Sequence, residues 1–353
     1  MLRCTRCNSK NHNRVSIRTW LEHRWYSRKP SPWWLRPFAA LVRKIAISRR
    51  ERQTRWAQKH KPPIPVIVVG NVSVGGTGKT PFVICLVERL REWGYRPGVI
   101  SRGYRGHAKH YPFRVTEKTD VRECGDEPAV LFRRLGCPVV VAPNRVKAVK
   151  FLMDLKECDI IVADDGLQHY KLARDVEICV VDGSRGLGNG ATLPAGPLRE
   201  PPERLNEVDL VVVNSGPFRP SNPRFVMMHM ATERAVSMAT GESLPLSRWS
   251  GQNVHAVAGL GNPDRFFRHL QDMGMHVIQH PFPDHYRFKT RQLQFKDPWS
   301  VLITEKDAVK CRGKALPRLW YVPASAHLGP GATTLVRELL KKKLPPRQPK
   351  PNA

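Results

Sequence analysis

A chain of 353 residues with 59 Lys and Arg against 30 Asp and Glu carries a formal charge of +29 and a pI near 10.4. Its 41% apolar content is enough for a large core shared between two domains, which excludes a small fold dependent on disulfide or metal staples. The basic excess directs the chain to something acidic: nucleic acid, an anionic membrane surface or a phosphorylated substrate.

Residues 1–16 read as a non-native or disordered extension. Cys4 and Cys7 within it form a lone CxxC with no second pair at zinc-ribbon spacing, half of a ligand set. The other Cys, such as Cys85, Cys158 and Cys179, fall in apolar runs and read as small buried hydrophobes of a reducing compartment. No apolar h-region precedes a small-residue cleavage site, and no run reaches the ~20 apolar residues of a transmembrane helix. Residues 17–62 read as a basic, amphipathic, membrane-associating segment. From Trp33 to Ile47, aromatic and aliphatic residues at helical spacing alternate with Arg36, Arg43 and Lys44. That pattern suits a helix lying among anionic headgroups, although a helix packed on the protein's own core would also carry an apolar stripe.

Residues 48–64 are polar and basic and end in Lys61-Pro62-Pro63, which predicts a linker. Short apolar runs follow at Val66–Val69, Gly98–Ser101, Val139–Val141, Asp159–Ala163, Ile178–Val181 and Leu210–Val213. Helical stretches such as Pro81–Trp93 and Arg145–Leu155 lie between them. Apolar strands alternating with helices predict an α/β fold of the P-loop NTPase type, a mostly parallel sheet covered on both faces, over residues 63–214. Periodicity loosens over 215–251, which reads as an inter-domain crossover or linker. A second, smaller α/β domain is predicted over 252–340, with a strand at Val254–Gly259, a helix at Pro263–Met273 and a strand at Val301–Thr304. Residues 341–353 read as a disordered basic tail.

The strongest local signal is the passage from the Val66–Val69 strand through Ser73, Val74, Gly75, Gly76, Thr77 and Gly78 to Lys79 and Thr80. Its glycines let backbone N–H groups converge on phosphate oxygens. Lys79 is placed to reach the β- and γ-phosphates, Thr80 to complete a Mg²⁺ site, and the following helix N-terminus to favour the anion. The usual motif begins with Gly where this chain has Ser73; the strand–loop–helix context is otherwise intact. ATP and Mg²⁺ are therefore the expected cofactors.

Asp164 and Asp165 end an apolar strand before Gly166, where acids beside a P-loop hold Mg²⁺ directly or through water; acids capping a turn look the same. Arg102 follows another strand end and is a candidate phosphate or substrate clamp. Arg145 opens a helix, and Arg199 sits in a loop shaped by Pro and Gly. Asp126, in an acidic turn entering a helix, reads by itself as an N-cap more readily than as a base. His285, in the polar cluster Pro283–Tyr286, would not be singled out by itself.

Together these segments resemble the tetraacyldisaccharide 4′-kinase (lipid A 4′-kinase) family over roughly Trp20 to Tyr321. The matching motifs are Gly70–Pro81, Ser101–Tyr104, Gly125–Pro128, Asp164–Tyr170, Asp182–Gly190, Leu193–Glu200, Gly259–Pro263, Pro283–Tyr286 and Thr304–Ala308. The resemblance implies transfer of the ATP γ-phosphate to the 4′-hydroxyl of a tetraacylated glucosamine disaccharide 1-phosphate, giving a lipid IVA-type product. It implies that Asp126 is the catalytic carboxylate with His285 as its partner, reversing the N-cap preference. It also implies that Lys79 and Thr80 serve phosphate and Mg²⁺, that Asp164 and Asp165 lie near the metal, and that Arg145 and Arg199 are active-site cations.

An acceptor with four acyl chains lies in a bilayer, so the expected location is the cytoplasmic face of the bacterial inner membrane, peripheral or monotopic. Anionic lipid is the expected partner of the basic N-terminal segment, with no obligate protein partner. Two other classes fit parts of the sequence. Membrane-associated partitioning ATPases share the Gly-rich loop, but usually carry Lys before the Gly pair where this chain has Val74. A nucleic-acid-binding protein would suit the charge, but no reading module is recognisable and the cations are weighted to the chain ends.

Overall fold

The computed structural model describes residues 17–27, 30–311 and 316–344. The expected extension over 1–16, with Cys4 and Cys7, lies outside these, as does the tail beyond Leu344. Two N-terminal helices, α1 (Ile17–Tyr26) and α2 (Arg36–Gln58), precede the first strand. The larger unit follows as β1 (Val66–Gly70), α3 (Lys79–Glu92), β2 (Pro97–Ser101), β3 (Phe113–Arg114), α4 (Val121–Cys124), α5 (Asp126–Leu135) and β4 (Val139–Val141). It continues as α6 (Arg145–Leu155), β5 (Ile160–Ala163), β6 (Val176–Asp182), α7 (Arg204–Glu207), β7 (Leu210–Asn214) and β8 (Phe225–Ala231). The smaller unit holds β9 (Arg234–Ser237), β10 (Ser243–Pro245), β11 (Asn253–Ala258), α8 (Asp264–Asp272), β12 (His276–Pro281), β13 (Ser300–Thr304), α9 (Glu305–Ala308) and β14 (Leu319–Val322). The chain then returns to the larger unit as β15 (Ser325–Leu328) and α10 (Pro330–Lys343).

The first sheet runs β15-β8-β7-β6-β1-β5-β2-β4-β3. It is parallel from β8 to β4, with antiparallel edges at β15 and β3. All five residues of β1 are buried, as a strand covered on both faces requires. Val69, Phe82, Leu86 and Leu131 pack on one side of the sheet, and Val68, Ile100, Leu152 and Leu167 on the other. The second sheet runs β10-β9-β14-β13-β11-β12, with Phe267 and Leu270 of α8 filling one face.

Two expected boundaries are corrected, at 340 and over 48–64, and a third segment, 215–251, expected as an inter-domain crossover or linker, makes its passage between the sheets through strands: β8 joins the first sheet, while β9 and β10 pair in the second. Their short, partly exposed strands hide the period-2 signal. The smaller unit does not continue to 340, because Ala326, Val336, Leu339, Leu340 and Leu344 bury themselves in the first core. Residues 341–343 therefore close a helix instead of starting a disordered tail. Finally, α2 extends to Gln58 through most of the expected 48–64 linker. Arg43 pairs with Glu203 at 3.1 Å and Arg50 with both carboxylate oxygens of Glu207, tying the helix to the body despite its polarity.

One face of α2 rests on the protein: Leu35, just before it, and Ala39 pack on Ala195, and the Thr192 hydroxyl donates to the Ala39 carbonyl at 2.8 Å. The apolar stripe lies on the other face. Trp34, Phe38, Leu41 and Ile45, spaced to share one side of a helix, are 50–57% exposed, and Trp33 is 78% exposed. The stripe is thus not core packing. Among the described residues no helix is long and apolar enough to cross a membrane.

Candidate active site

Because β1 lies between β5 and β6, and β7 follows β6, one edge of the sheet gathers the carboxyl ends of four strands. Those ends carry Gly70, Asp164, Asp182 and Asn214. In doubly wound sheets such an edge holds the ligand crevice. The loop between β1 and α3 opens into it. Its entrance is laced to the Leu193–Glu200 loop: the Val74 N–H donates to the Pro197 carbonyl at 2.9 Å and the Arg199 N–H to the Val72 carbonyl at 2.7 Å. Ser73 is buried in a bridge to Leu198. Of the expected phosphate-loop residues, Ser73 and Val74 thus anchor the loop, and Val74 has no free N–H for an anion. Gly75 and Gly76 are exposed at its tip.

Gly78 has φ +92°, and a Cβ there would fall 2.6 Å from Asn214 Nδ2; both conformation and space demand glycine. The Asn214 amide donates to the Thr77 carbonyl at 3.1 Å and holds the loop from behind. Helix α3 begins at Lys79, directly after Gly78. The Lys79 ammonium lies 3.4 Å from Asp165 Oδ1, and Arg199 lies 3.7 Å from the same oxygen. Burial works to raise Asp165, but Lys79 and Arg199 outweigh it and hold the carboxyl below its ordinary range. Asp165 adopts φ +49°, backbone strain of the kind that functional turns retain.

Asp164 is wholly enclosed, and neither carboxylate oxygen has a hydrogen-bond partner. Burial, with the nearby charges of Glu127 and Asp165, pushes it up to about 7. The buried Thr77 hydroxyl is also unpartnered. Orphaned oxygens in a basic crevice are costly unless a ligand completes them. They fit a hard cation such as Mg²⁺, which keeps waters and phosphate oxygens and takes few protein ligands. No cluster of three or more His, Cys, Asp or Glu suited to a metal occurs among the described residues.

Arg145 is only 2% exposed. Its guanidinium donates to the carbonyls of Ala142 (2.9 Å) and Asp164 (3.1 Å), and burial draws it down to about 10. It is placed as a brace beneath the acidic turn, not as an open clamp. Arg102, at the end of β2, is exposed.

Asp126 is the first residue of α5 and not its cap, which is Gly125. Its carboxylate turns to the smaller unit, where His285 Nδ1 lies 2.8 Å from Oδ2. Both side chains are mostly buried. Burial favours the neutral acid, but the His285 hydrogen bond and the charges of Lys310 and Lys306 prevail, so Asp126 is held below its ordinary value. His285 has φ +64°, and Arg105 reaches the Asp284 carbonyl beside it at 3.3 Å.

Several supporting residues went unnoticed in the sequence. Gln168 joins the Asn71 carbonyl (2.9 Å) to Glu200 (2.6 Å), while Tyr170 and Arg204 also engage Glu200. Asn214 had a usable signal, being a polar residue at the carboxyl end of an apolar strand. Lys310 had none, since it meets Asp126 only through the packing of two distant helical turns.

A family model described as tetraacyldisaccharide-1-P 4′-kinase matches residues 31–344. The chain is 46% identical over 330 residues to the tetraacyldisaccharide 4′-kinase of Nitrosococcus oceani, covering 91% of this chain and 95% of the relative. It is 47% identical to that of Aeromonas hydrophila over 87% of this chain and 92% of the relative. A crystal structure of LpxK from Aquifex aeolicus in complex with ATP superposes with a TM-score of 0.71 at 28% identity, covering 86% of this chain and 97% of that one.

Proposed function

Since this chain belongs to the tetraacyldisaccharide 4′-kinase family and phosphorylates the 4′-hydroxyl of tetraacyldisaccharide 1-phosphate with ATP in lipid A biosynthesis, we propose that Asp126, paired with His285, accepts the proton of that hydroxyl. The 2.8 Å contact between the two, made by groups from both units at the mouth of the nucleotide crevice, carries this reading. With Nδ1–H donated to Oδ2, the ring orients the carboxylate and leaves Oδ1 for the sugar hydroxyl. As the hydroxyl oxygen bonds to the γ-phosphorus, its proton passes to Asp126 and the bond to the ADP oxygen breaks. Positioning and charge neutralisation supply most of the catalysis in such a transfer.

Lys79 and the N–H groups of the Gly75–Thr80 turn hold the phosphates, and Arg199 lines the same wall. Thr80, Asp164 and Asp165 would hold Mg²⁺, whose contribution when bound is to neutralise phosphate charge. Arg145 keeps the Asp164 turn in place, and exposed Arg102 meets acceptor or phosphate at the rim.

The solvent-facing stripe of Trp33, Trp34, Phe38, Leu41 and Ile45, with the exposed cations Arg36 and Lys44 nearby, supports docking on anionic lipid in preference to nucleic acid. It seats the enzyme on the cytoplasmic face of the inner membrane, where a four-chain acceptor resides.

The test is transfer of labelled γ-phosphate from ATP to tetraacyldisaccharide 1-phosphate in mixed micelles, with Lys79→Ala and Asp126→Ala in parallel. Product from the parent and loss in both variants is expected. Full activity of Asp126→Ala would remove it as the proton acceptor.

A further inference from the structure

A buried cation lies on the far side of Asp126 from the crevice residues described above. The short 3₁₀ turn Val309–Cys311, directly after α9, packs against α5. From it Lys310, with a side chain only 3% exposed, brings Nζ to 3.9 Å from Asp126 Oδ2 and 2.5 Å from Asp307 Oδ1. Its ammonium stands 5.4 Å from the centre of the Phe288 ring. Asp307 is itself fixed: Oδ2 accepts from the Gly259 N–H at 2.9 Å and from the Thr304 hydroxyl at 2.7 Å, and the residue is wholly buried.

Burying a lysine among apolar groups is unfavourable unless its charge is used. One carboxylate, Asp307, would suffice to neutralise it. Here the ammonium is instead held between two acids, one in each unit. We propose that Lys310 is a positioning residue for the phosphoryl transfer: anchored by Asp307, it fixes the Oδ2 side of Asp126 as an anion, so that the remaining oxygen faces the acceptor hydroxyl. The inference rests on the reading of Asp126 as proton acceptor.

The groups around Asp126 define what Lys310 does there. His285 reaches the same oxygen, and Lys306 contributes a more distant positive charge. Cys124, just before α5, is pushed up to about 12 by burial and stays neutral. Asp284 and Asp307 add negative charge, and both contact lysines, Lys306 at 3.4 Å and Lys310 at 2.5 Å. Without Lys310, Asp126 and Asp307 would share one buried region with only His285 and Lys306 to offset them. The proton would then stay on Asp126 to a higher pH. A lysine that only filled space would leave that titration where it is.

The experiment is a pH profile of kcat and KM on full-length protein for Lys310→Met, Lys310→Gln and Lys310→Arg. Asp126→Asn is run in parallel, and an ATP-induced rise in melting temperature reports folding. Loss of charge is expected to move the acid limb of kcat upward by about one to three pH units with KM for ATP little changed. Lys310→Arg should keep the limb near the parent's. If the Met variant does not fold, the Gln variant carries the comparison. An unmoved limb in a folded, charge-free variant, with Asp126→Asn inactive, would overturn the role of Lys310 alone. An active Asp126→Asn would overturn the reading of Asp126 and this inference with it.

Discussion

His285 Nδ1 sits 2.8 Å from Asp126 Oδ2 although the two residues are 159 positions apart and belong to different sheets' units. His285 reaches that position with φ +64°, a conformation unfavourable for a side chain with a Cβ and held only by its surroundings. Asp126 forgoes the usual N-cap role, which Gly125 takes without a side-chain bond. Two local costs thus meet at one hydrogen bond, and the proposed proton-accepting role of Asp126 would account for both.

Asp126→Asn keeps size and removes basicity, so kcat is expected to fall roughly 10²–10⁴-fold while KM for ATP changes little. His285→Gln can still donate to the carboxylate and should lose less. Steady-state kinetics at saturating acceptor make the comparison; a large KM effect with kcat intact would assign the pair to binding.

Asn214 supplies the amide that holds the Thr77 carbonyl. Asn214→Ala leaves that carbonyl buried without a donor and opens space behind Gly78, a defect worth about 1–3 kcal/mol. Part of this should appear as a lower melting temperature and part as an approximately tenfold weaker KM for ATP. Isothermal titration with ATP reads the binding share directly, and unchanged affinity would confine Asn214 to stability.

In the candidate site, the strand–loop–helix half was legible in the sequence and the half shared between the two units much less so, for a physical reason. Strands β1, β5 and β7 are continuous apolar runs, and the expected helix over Arg145–Leu155 coincides with α6 because Asn144 caps it with bonds to the N–H groups of Val146 and Lys147. Glycine spacing encodes the phosphate loop within a few residues. The Asp126–His285–Lys310 group is made by packing one unit on another, and no local period or spacing records that. Only the family resemblance pointed to Asp126 and His285, and Lys310 remained invisible. Arg145 shows the opposite error: an arginine at a helix start suggests a clamp, but its burial turns it inward.

His169 provides a pH test of the scaffold beneath the crevice. Burial, together with the charges of Arg145, Arg174, Arg49 and Arg102, lowers it from the ordinary histidine range to about 4, and its Nε2 accepts the Arg145 N–H at 3.3 Å. In the fold the imidazole stays neutral, whereas the unfolded chain protonates it as pH falls through about 6.5. The unfolded state therefore binds more protons between pH 6.5 and 4, and stability is lost over that window as pH drops. Partial exposure of the ring limits the effect to about 1–2 kcal/mol. His169→Gln should flatten the decline in melting temperature across that window; parallel curves for parent and variant would show that other groups cause it.

Helix α2 offers a test in which fold and membrane binding separate. Phe38, Leu41 and Ile45 share its solvent face with Trp34 just before it, while Ala39 and the preceding Leu35 hold another face on the body. Changing Trp34, Phe38 and Leu41 to Ser touches none of the contacts that fix the helix, so the melting temperature should stay within a degree or two, in line with surface substitutions of about 0.5 kcal/mol. Each side chain would bury apolar area in the headgroup region, and even partial burial is worth about 1 kcal/mol apiece. Affinity for vesicles containing anionic lipid should therefore fall at least about tenfold by sedimentation. Residual binding should come from exposed cations such as Arg36 and Lys44 and weaken steeply with salt, since exposed charges beyond about 10 Å are screened at 0.1 M. A triple variant that binds such vesicles as tightly as the parent would locate the membrane contact elsewhere on this basic surface.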